Sequence, residues 1–206
     1  MISLFIDTSM KNVSISIVKD NKIMSIIQED IPNEHSKYAT SYVKKVIDDA
    51  GIDANDIDDI LVVNGPGSFT GVRIGVTIAK TYGYLINKEL IPVSSLKSLA
   101  ISSNKDCTVM SVIQANRNNF YVGIYDSKYN NLIDEQFVSS NKLIELIEEY
   151  NPYIVSNDFY VLGIYKFNKV NLDILRIVDY YKDMDKVNYH ALVPNYLKLP
   201  QAMENK

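Results

Sequence analysis

Tryptophan is absent from this chain, and 206 residues carry only one cysteine and two histidines. A lone thiol, Cys107, cannot close a disulfide within the chain. It opens a predicted strand with no histidine beside it, which argues against a thiol nucleophile. His35 and His190 are far apart and outside any H-E-x-x-H spacing, so a zinc hydrolase is disfavoured and no metal or cofactor site is expected. His35 opens a predicted helix, and His190 reads as a surface or packing residue. No apolar run approaches the ~20 residues of a membrane-spanning helix. The opening MISLFIDTS lacks the basic flank and apolar core of a signal peptide, and the expectation is a cytoplasmic chain with no membrane partner. Positive charge is also short: 21 Lys and Arg against 25 Asp and Glu give a net −4 and a pI near 5.2. A lone nucleic-acid binder needs clustered Lys and Arg to displace counterions, so any RNA contact is expected to come through a partner.

What is present suits a globular chain: 47% apolar and 22% charged residues, long enough to bury a real core. Four of its eight glycines fall in NGPGSFTGVRIG, residues 64–75, between an apolar run at 60–64 and another at 72–86. This spacing predicts a strand, a glycine turn and a helix. The turn lacks the Gly-Lys-Ser/Thr ending of a Walker loop, and glycines at 65, 67 and 71 are one step too wide for G-x-G-x-x-G. Ser68 lacks the G-x-S-x-G elbow of a serine hydrolase. Backbone N–H groups at a helix start can still hold an anion, and a tight strand-to-helix connection explains the glycines equally. The acidic stretch DDAGIDANDIDD puts Asp58 where a calcium loop needs glycine, and reads as a solvated connection.

The order of elements occurs twice. Ile2–Asp7, residues 13–18 and residues 22–29 read as three strands, with Asp20-Asn21 as a turn. A helix follows over 36–50, capped by Asn33 or Ser36 and ended by Gly51, and then a strand at 59–64. The second half repeats this with strands at 107–115, 120–125 and 132–138, a helix ended by Pro152, and a strand at 153–156. The linking segments are helices over 72–87 and 94–102. Strand-strand-strand-helix-strand twice describes duplicated ribonuclease-H-like units of the actin and sugar-kinase superfold, an α/β class with mixed five-stranded sheets. The units are expected at residues 1–103 and 104–206, the second reduced, with a C-terminal helix or tail able to pack back on the first. In that superfold the turn after each unit's first strand faces a cleft, here residues 7–12 and 114–119. The first offers Asp7 for metal and water, and the second offers neutral Gln114, so the cleft is half-equipped. Asp7, Thr8, Ser9, Gly65, Pro66, Gly67 and Ser68 are the nucleotide-cleft candidates.

Gly71, Gly75, Ala79 and Gly83 recur every fourth residue and form a ridge of small side chains on one helix. Glycine inside a helix costs about 1 kcal/mol relative to alanine, so a close contact must compensate. Either the helix over 36–50 covers the ridge, or a second protein does. On the second reading Gly75→Leu blocks pairing and leaves a folded chain.

GPGSFTGVRIG, the opening IDTS, His35-Ser36 at a helix start and the ending Pro194-Asn195-Tyr196-Leu197-Lys198 together resemble the TsaB (YeaZ) family. The resemblance covers most of the chain and implies the duplicated ribonuclease-H-like fold. It further implies a non-catalytic role in making N6-threonylcarbamoyladenosine (t6A) in tRNA. The implied partners are the catalytic paralogue TsaD and the ATPase TsaE, with tRNA reached only through the complex and self-pairing open to the isolated chain. The implied pairing surface lies on the helices over 35–50 and 71–86. Its residues are His35, Tyr38, Tyr42 and Val46 on the first, and Gly71, Arg73, Ile74, Gly75, Ile78, Ala79 and Tyr82 on the second. Gln114-Ala115-Asn116 replaces the family's Asp-Ala-Arg, with Arg117 one place later, and Lys198 replaces the final arginine of the tail. The old glycoprotease label of homologues is disfavoured by the missing metal pair. The competing reading is a small actin-superfold phosphotransferase or ATPase using Asp7, Thr8 and the 65–68 loop.

Overall fold

Two neighbouring asparagine-type residues set the first hairpin. Asp20 and Asn21 both take positive φ, 48° and 60°, the conformation a two-residue turn between twisted strands demands. They join β2 (Asn12–Lys19) to β3 (Lys22–Asp30), and β1 (Ile2–Asp7) pairs antiparallel with β2 on the other side. The computed structural model describes residues 1–30, 35–116, 118–158 and 161–198. The proposed cap Asn33, the side chains of His35 and Ser36, and Arg117 lie outside the described residues.

Helix α1 (His35–Asp49) ends at Gly51, whose φ of 64° fits a left-handed stop. The acidic stretch after it folds locally: Asp53 and Asp56 form a reciprocal capping box around a single 3-10 turn, Ala54–Asp56. β4 (Asp59–Gly65), α2 (Phe69–Leu85) and β5 (Leu90–Ser94) complete a five-stranded mixed sheet in the order β3-β2-β1-β4-β5. Alternation decides its faces. Leu4, Ile6, Ile15, Ile17, Ile60 and Val62 meet Val43, Val46, Val72 and Val76 of α1 and α2 in one core.

The next segment builds the same sheet again. After α3 (Ser95–Ser103) come β6 (Val109–Asn116), β7 (Asn119–Tyr125), β8 (Asn131–Ser139), α4 (Ser140–Tyr150) and β9 (Tyr153–Ser156). With β12 (Asn168–Lys169) the strand order is β8-β7-β6-β9-β12, the same as the first sheet read from its own first hairpin. Met110, Val112, Phe120, Val122, Leu143, Leu146 and Phe167 form its core. The reduction is concrete. Between β4 and β5 stands the 17-residue α2, whereas between β9 and β12 stand β10 (Val161–Leu162) and β11 (Tyr165–Lys166), a minimal hairpin. Cys107 lies before β6, exposed, and not at the start of the strand.

The division into units differs from a cut near residue 103. One unit comprises Met1–Ser95 with Asp173–Pro194, and the other comprises Leu96–Leu172 with Asn195–Lys206. Helix α3 therefore counts with the second sheet, and α5 (Ile174–Tyr181) with the first. The reason is burial. Ile174, Ile177, Val178 and Tyr181 form the inner stripe of α5, which packs on β1 and β2. The following segment bridges Leu90 to Val187, and Lys186 reaches the buried Asp59 at 2.5 Å.

Candidate functional site

The glycine turn is shaped by the turn it touches. Asp7, Thr8 and Ser9, at the end of β1, are at most 1% exposed. Asp7 Oδ1 accepts from the Ser9 amide at 2.8 Å and from Ser9 Oγ at 2.7 Å. The Ser68 amide donates to the Ser9 carbonyl at 2.7 Å, and Thr8 Oγ1 donates to the Gly71 carbonyl at 2.7 Å. Ser68 caps α2, its Oγ accepting from the Gly71 amide at 3.2 Å. Ser95 Oγ donates to the Pro66 carbonyl from the far side of the turn. Backbone therefore lies directly on backbone here. A Cβ on Gly67 would fall on the Ser9 carbonyl oxygen, and one on Gly71 on the Thr8 carbonyl oxygen. Glycine is the residue that permits such an approach.

This geometry corrects the docking reading of the small ridge. Gly71, Gly75, Ala79 and Gly83 are all buried within their own unit. A Cβ on Gly75 would meet Thr8 Oγ1 at 2.5 Å, and one on Gly83 would meet Leu90 Cδ2 at 2.9 Å. At its three glycines the ridge is filled from within the chain, by the end of β1 under Gly71 and Gly75 and by Lys88, Leu90 and Tyr189 at Gly83. Gly71, Gly75 and Ala79 are thus removed from the set of residues able to meet a partner, as are Val46 at 0% exposure and Ile78 at 8%. The compensation for helical glycine is internal, and Gly75→Leu is expected to impair folding itself, not pairing alone.

Other members of the set remain at the surface. Tyr38 and Tyr42 stack at 5.8 Å on α1, half-buried, and Tyr42 donates its hydroxyl to Glu29 at 2.7 Å. On α2, Ile74 and Tyr82 are half-buried against the same core. Partial burial, reinforced by the negative charge of Asp48, raises the Tyr82 phenol above its ordinary value and keeps it a neutral donor. Arg73 is exposed, with its guanidinium 3.8 Å from the Phe69 ring centre. Phe69 itself is 42% exposed and was missed by sequence reasoning, although its place in the first turn after the Ser68 cap marks it as outward-facing. His35 begins α1, and its side chain lies outside the described residues.

In the second unit the corresponding turn is made of amides. Gln114 is exposed, and Asn116 Oδ1 accepts from the Asn119 side chain at 2.8 Å. Among the described residues, no three His, Cys, Asp or Glu side chains gather as a metal site. The tail residue Lys198 lies over the Phe137 ring at 5.2 Å. His190 is exposed and rests 4.6 Å from the Tyr189 ring, as a packing residue would.

Comparison with known proteins is consistent across three measures. Residues 25–174 match the family model described as TsaD, tRNA N6-adenosine threonylcarbamoyltransferase. The Bacillus subtilis tRNA threonylcarbamoyladenosine biosynthesis protein TsaB is 28% identical, aligned over 98% of this chain and 96% of its own length. The Escherichia coli protein of the same name is 30% identical over 63% of this chain and 57% of its own. A tRNA N6-adenosine threonylcarbamoyltransferase of Chlorobium phaeobacteroides is 28% identical, but the match spans only 31% of that enzyme. In shape, YeaZ from Pseudomonas aeruginosa superposes with a TM-score of 0.77 at 20% identity, covering 95% of this chain and 99% of that one.

Proposed function

Since the chain belongs to the TsaB (YeaZ) family, within the wider group that the TsaD model describes, we propose that it is a non-catalytic subunit of the t6A-forming machinery. It pairs with a TsaD-like catalytic paralogue, a TsaE-like ATPase joins that pair, and tRNA is held by the assembly. The observation that carries this reading is the state of the Asp7–Ser9 turn. Its residues are at most 1% exposed, Asp7 Oδ1 is bonded within its own turn, and the Thr8 hydroxyl is bonded into α2. A phosphotransferase needs a carboxylate aimed at metal and water, and this one is committed to structure. The matching turn of the second unit presents Gln114 and Asn116 where a second carboxylate would stand. The residues left to meet a partner are Tyr38, Tyr42, Phe69, Arg73, Ile74 and Tyr82, an aromatic-rich set with one arginine, the composition that dominates interface energetics. The net charge of −4 supports a tRNA grip supplied by the partners.

Reconstitution tests this. The purified chain is assayed for t6A formation and ATP turnover alone, with a TsaD-like protein, and with both partners. The expected result is no product alone and product with both. Ile74→Asp combined with Tyr82→Ala is expected to lower the yield at least tenfold while leaving the circular dichroism of the chain unchanged. ATP turnover by the chain alone, abolished by Asp7→Asn, would establish the phosphotransferase reading instead.

A further inference from the structure

Three buried serine hydroxyls, those of Ser3, Ser16 and Ser111, meet no hydrogen-bonding group among the described residues. Leaving a buried hydroxyl unpaired is costly, so each such group calls for a cause. For Ser3 the surroundings supply one. The residue is 1% exposed, yet it lines a cavity of about 240 Å³ between the first hairpin and the last turn of α5. Ser3 of β1 and Val18 of β2 are register partners, so their side chains share one face of the sheet. Helix α5 packs on these two strands and brings Val178 to the same cavity. Val18 and Val178 are themselves buried, and with Met1 they give the cavity apolar walls around one hydroxyl.

The charges at the rim are engaged with one another. The Met1 ammonium donates to Asp20 at 2.9 Å, and Lys182 Nζ donates to Asp179 at 2.6 Å. Two cations face two anions, which leaves neither sign in surplus. We propose that this cavity binds a small neutral molecule, with an apolar body and one hydroxyl or carbonyl group that bonds Ser3 Oγ. An apolar cavity of roughly 150 Å³ takes a benzene ring, so this one suits a body of about ten non-hydrogen atoms. Such a ligand touches β1, β2 and α5 together. It therefore binds only the folded chain, and its binding adds to stability. The site uses no exposed residue of α1 or α2, so it stands apart from the partner reading above.

The probe is p-cresol, a neutral ring with one hydroxyl. Titrated into the isotope-labelled chain, it is expected to give saturable amide shifts at Ser3, Val18, Asn21 and Val178, with a Kd of about 1 mM. It is also expected to raise the Tm. Ser3→Ala is expected to keep or raise the Tm of the free chain, because it deletes an unpaired hydroxyl. The same variant is expected to bind p-cresol about tenfold more weakly, the worth of one hydrogen bond. Benzylammonium and 4-methylbenzoate carry a similar ring with a charge of either sign. Both are expected to bind at least tenfold more weakly than p-cresol, because a charge entering the cavity loses its hydration without finding a free partner. The proposal is overturned if p-cresol up to about 10 mM gives no saturable shift at these amides. Equal affinity in Ser3→Ala overturns it too, as does a charged analogue that binds as well as p-cresol. A lower Tm of the free Ser3→Ala chain also counts against it, since the hydroxyl would then already be satisfied. Every readout uses this chain alone, so failure here leaves the t6A reading untouched.

Discussion

A missing side chain can be as specific as a present one. Gly75 lies under Thr8, and the space its Cβ would take is held by Thr8 Oγ1 at 2.5 Å. The Thr8 hydroxyl in turn donates to the Gly71 carbonyl, so it cannot swing away without leaving a buried hydroxyl unpaired. Gly75→Ala gains about 1 kcal/mol of helix propensity and loses more to overpacking, which costs about 1–3 kcal/mol in a well-filled core. The expected net is a destabilisation of up to about 2 kcal/mol, read as a lower urea midpoint at unchanged slope. Combined with Thr8→Ala the loss is expected to be less than additive, because the second change removes the atom that the first one strikes. The fourfold spacing of small residues was legible in the sequence as a demand for close approach. What approaches was not legible, because Thr8 is 67 positions away and carries no periodic signal toward residue 75.

At the scale of elements, α2 is gripped on its outer side by chain from the other end of the sequence. Lys80 Nζ reaches the carbonyls of His190 at 3.3 Å and Leu192 at 3.0 Å, and Asn64 donates to the Val193 carbonyl at 3.1 Å. Tyr84, Tyr189 and His190 gather as a ring cluster beside this clamp. Lys80→Met keeps the aliphatic stem and removes the donor. It is expected to leave global stability within about 1 kcal/mol while raising hydrogen exchange over residues 187–192, since local opening there no longer breaks charge-assisted bonds. Helix α1 was legible almost residue by residue from its spacing and from Gly51. Helix α5 was barely legible, although Ile174, Ile177, Val178 and Tyr181 have the right period. Eight residues hold only two turns of pattern, too little to stand out beside a loop.

For the whole molecule, the reassignment of 173–194 to the first unit means that the chain must close before its first sheet is covered. Truncation after residue 172 removes α5 from β1 and β2, the Val187 bridge to Leu90 and the Lys186 partner of Asp59, whose side chain is 4% exposed. An uncompensated buried charge and a bared sheet face are both costly. The expected product is an unfolded or molten chain, recognised by lost near-ultraviolet dichroism and dye binding, and not a stable first unit. The same chain with only 195–206 removed is expected to keep a cooperative thermal transition.

The repeated order of elements, the mixed five-stranded sheets, the position of the glycine turn and the resemblance to a family were all readable from the residues, because period, turn chemistry and motif are local. Only the folded chain reveals that the glycines of the small ridge are filled from within, that α3 counts with the second unit, and that β3 lies at a sheet edge, whereas a C-terminal segment returning to the first unit was already expected. The reason is physical. A pattern states which face of an element must leave water, but burial is non-directional, and any apolar surface brought near by the fold can satisfy it.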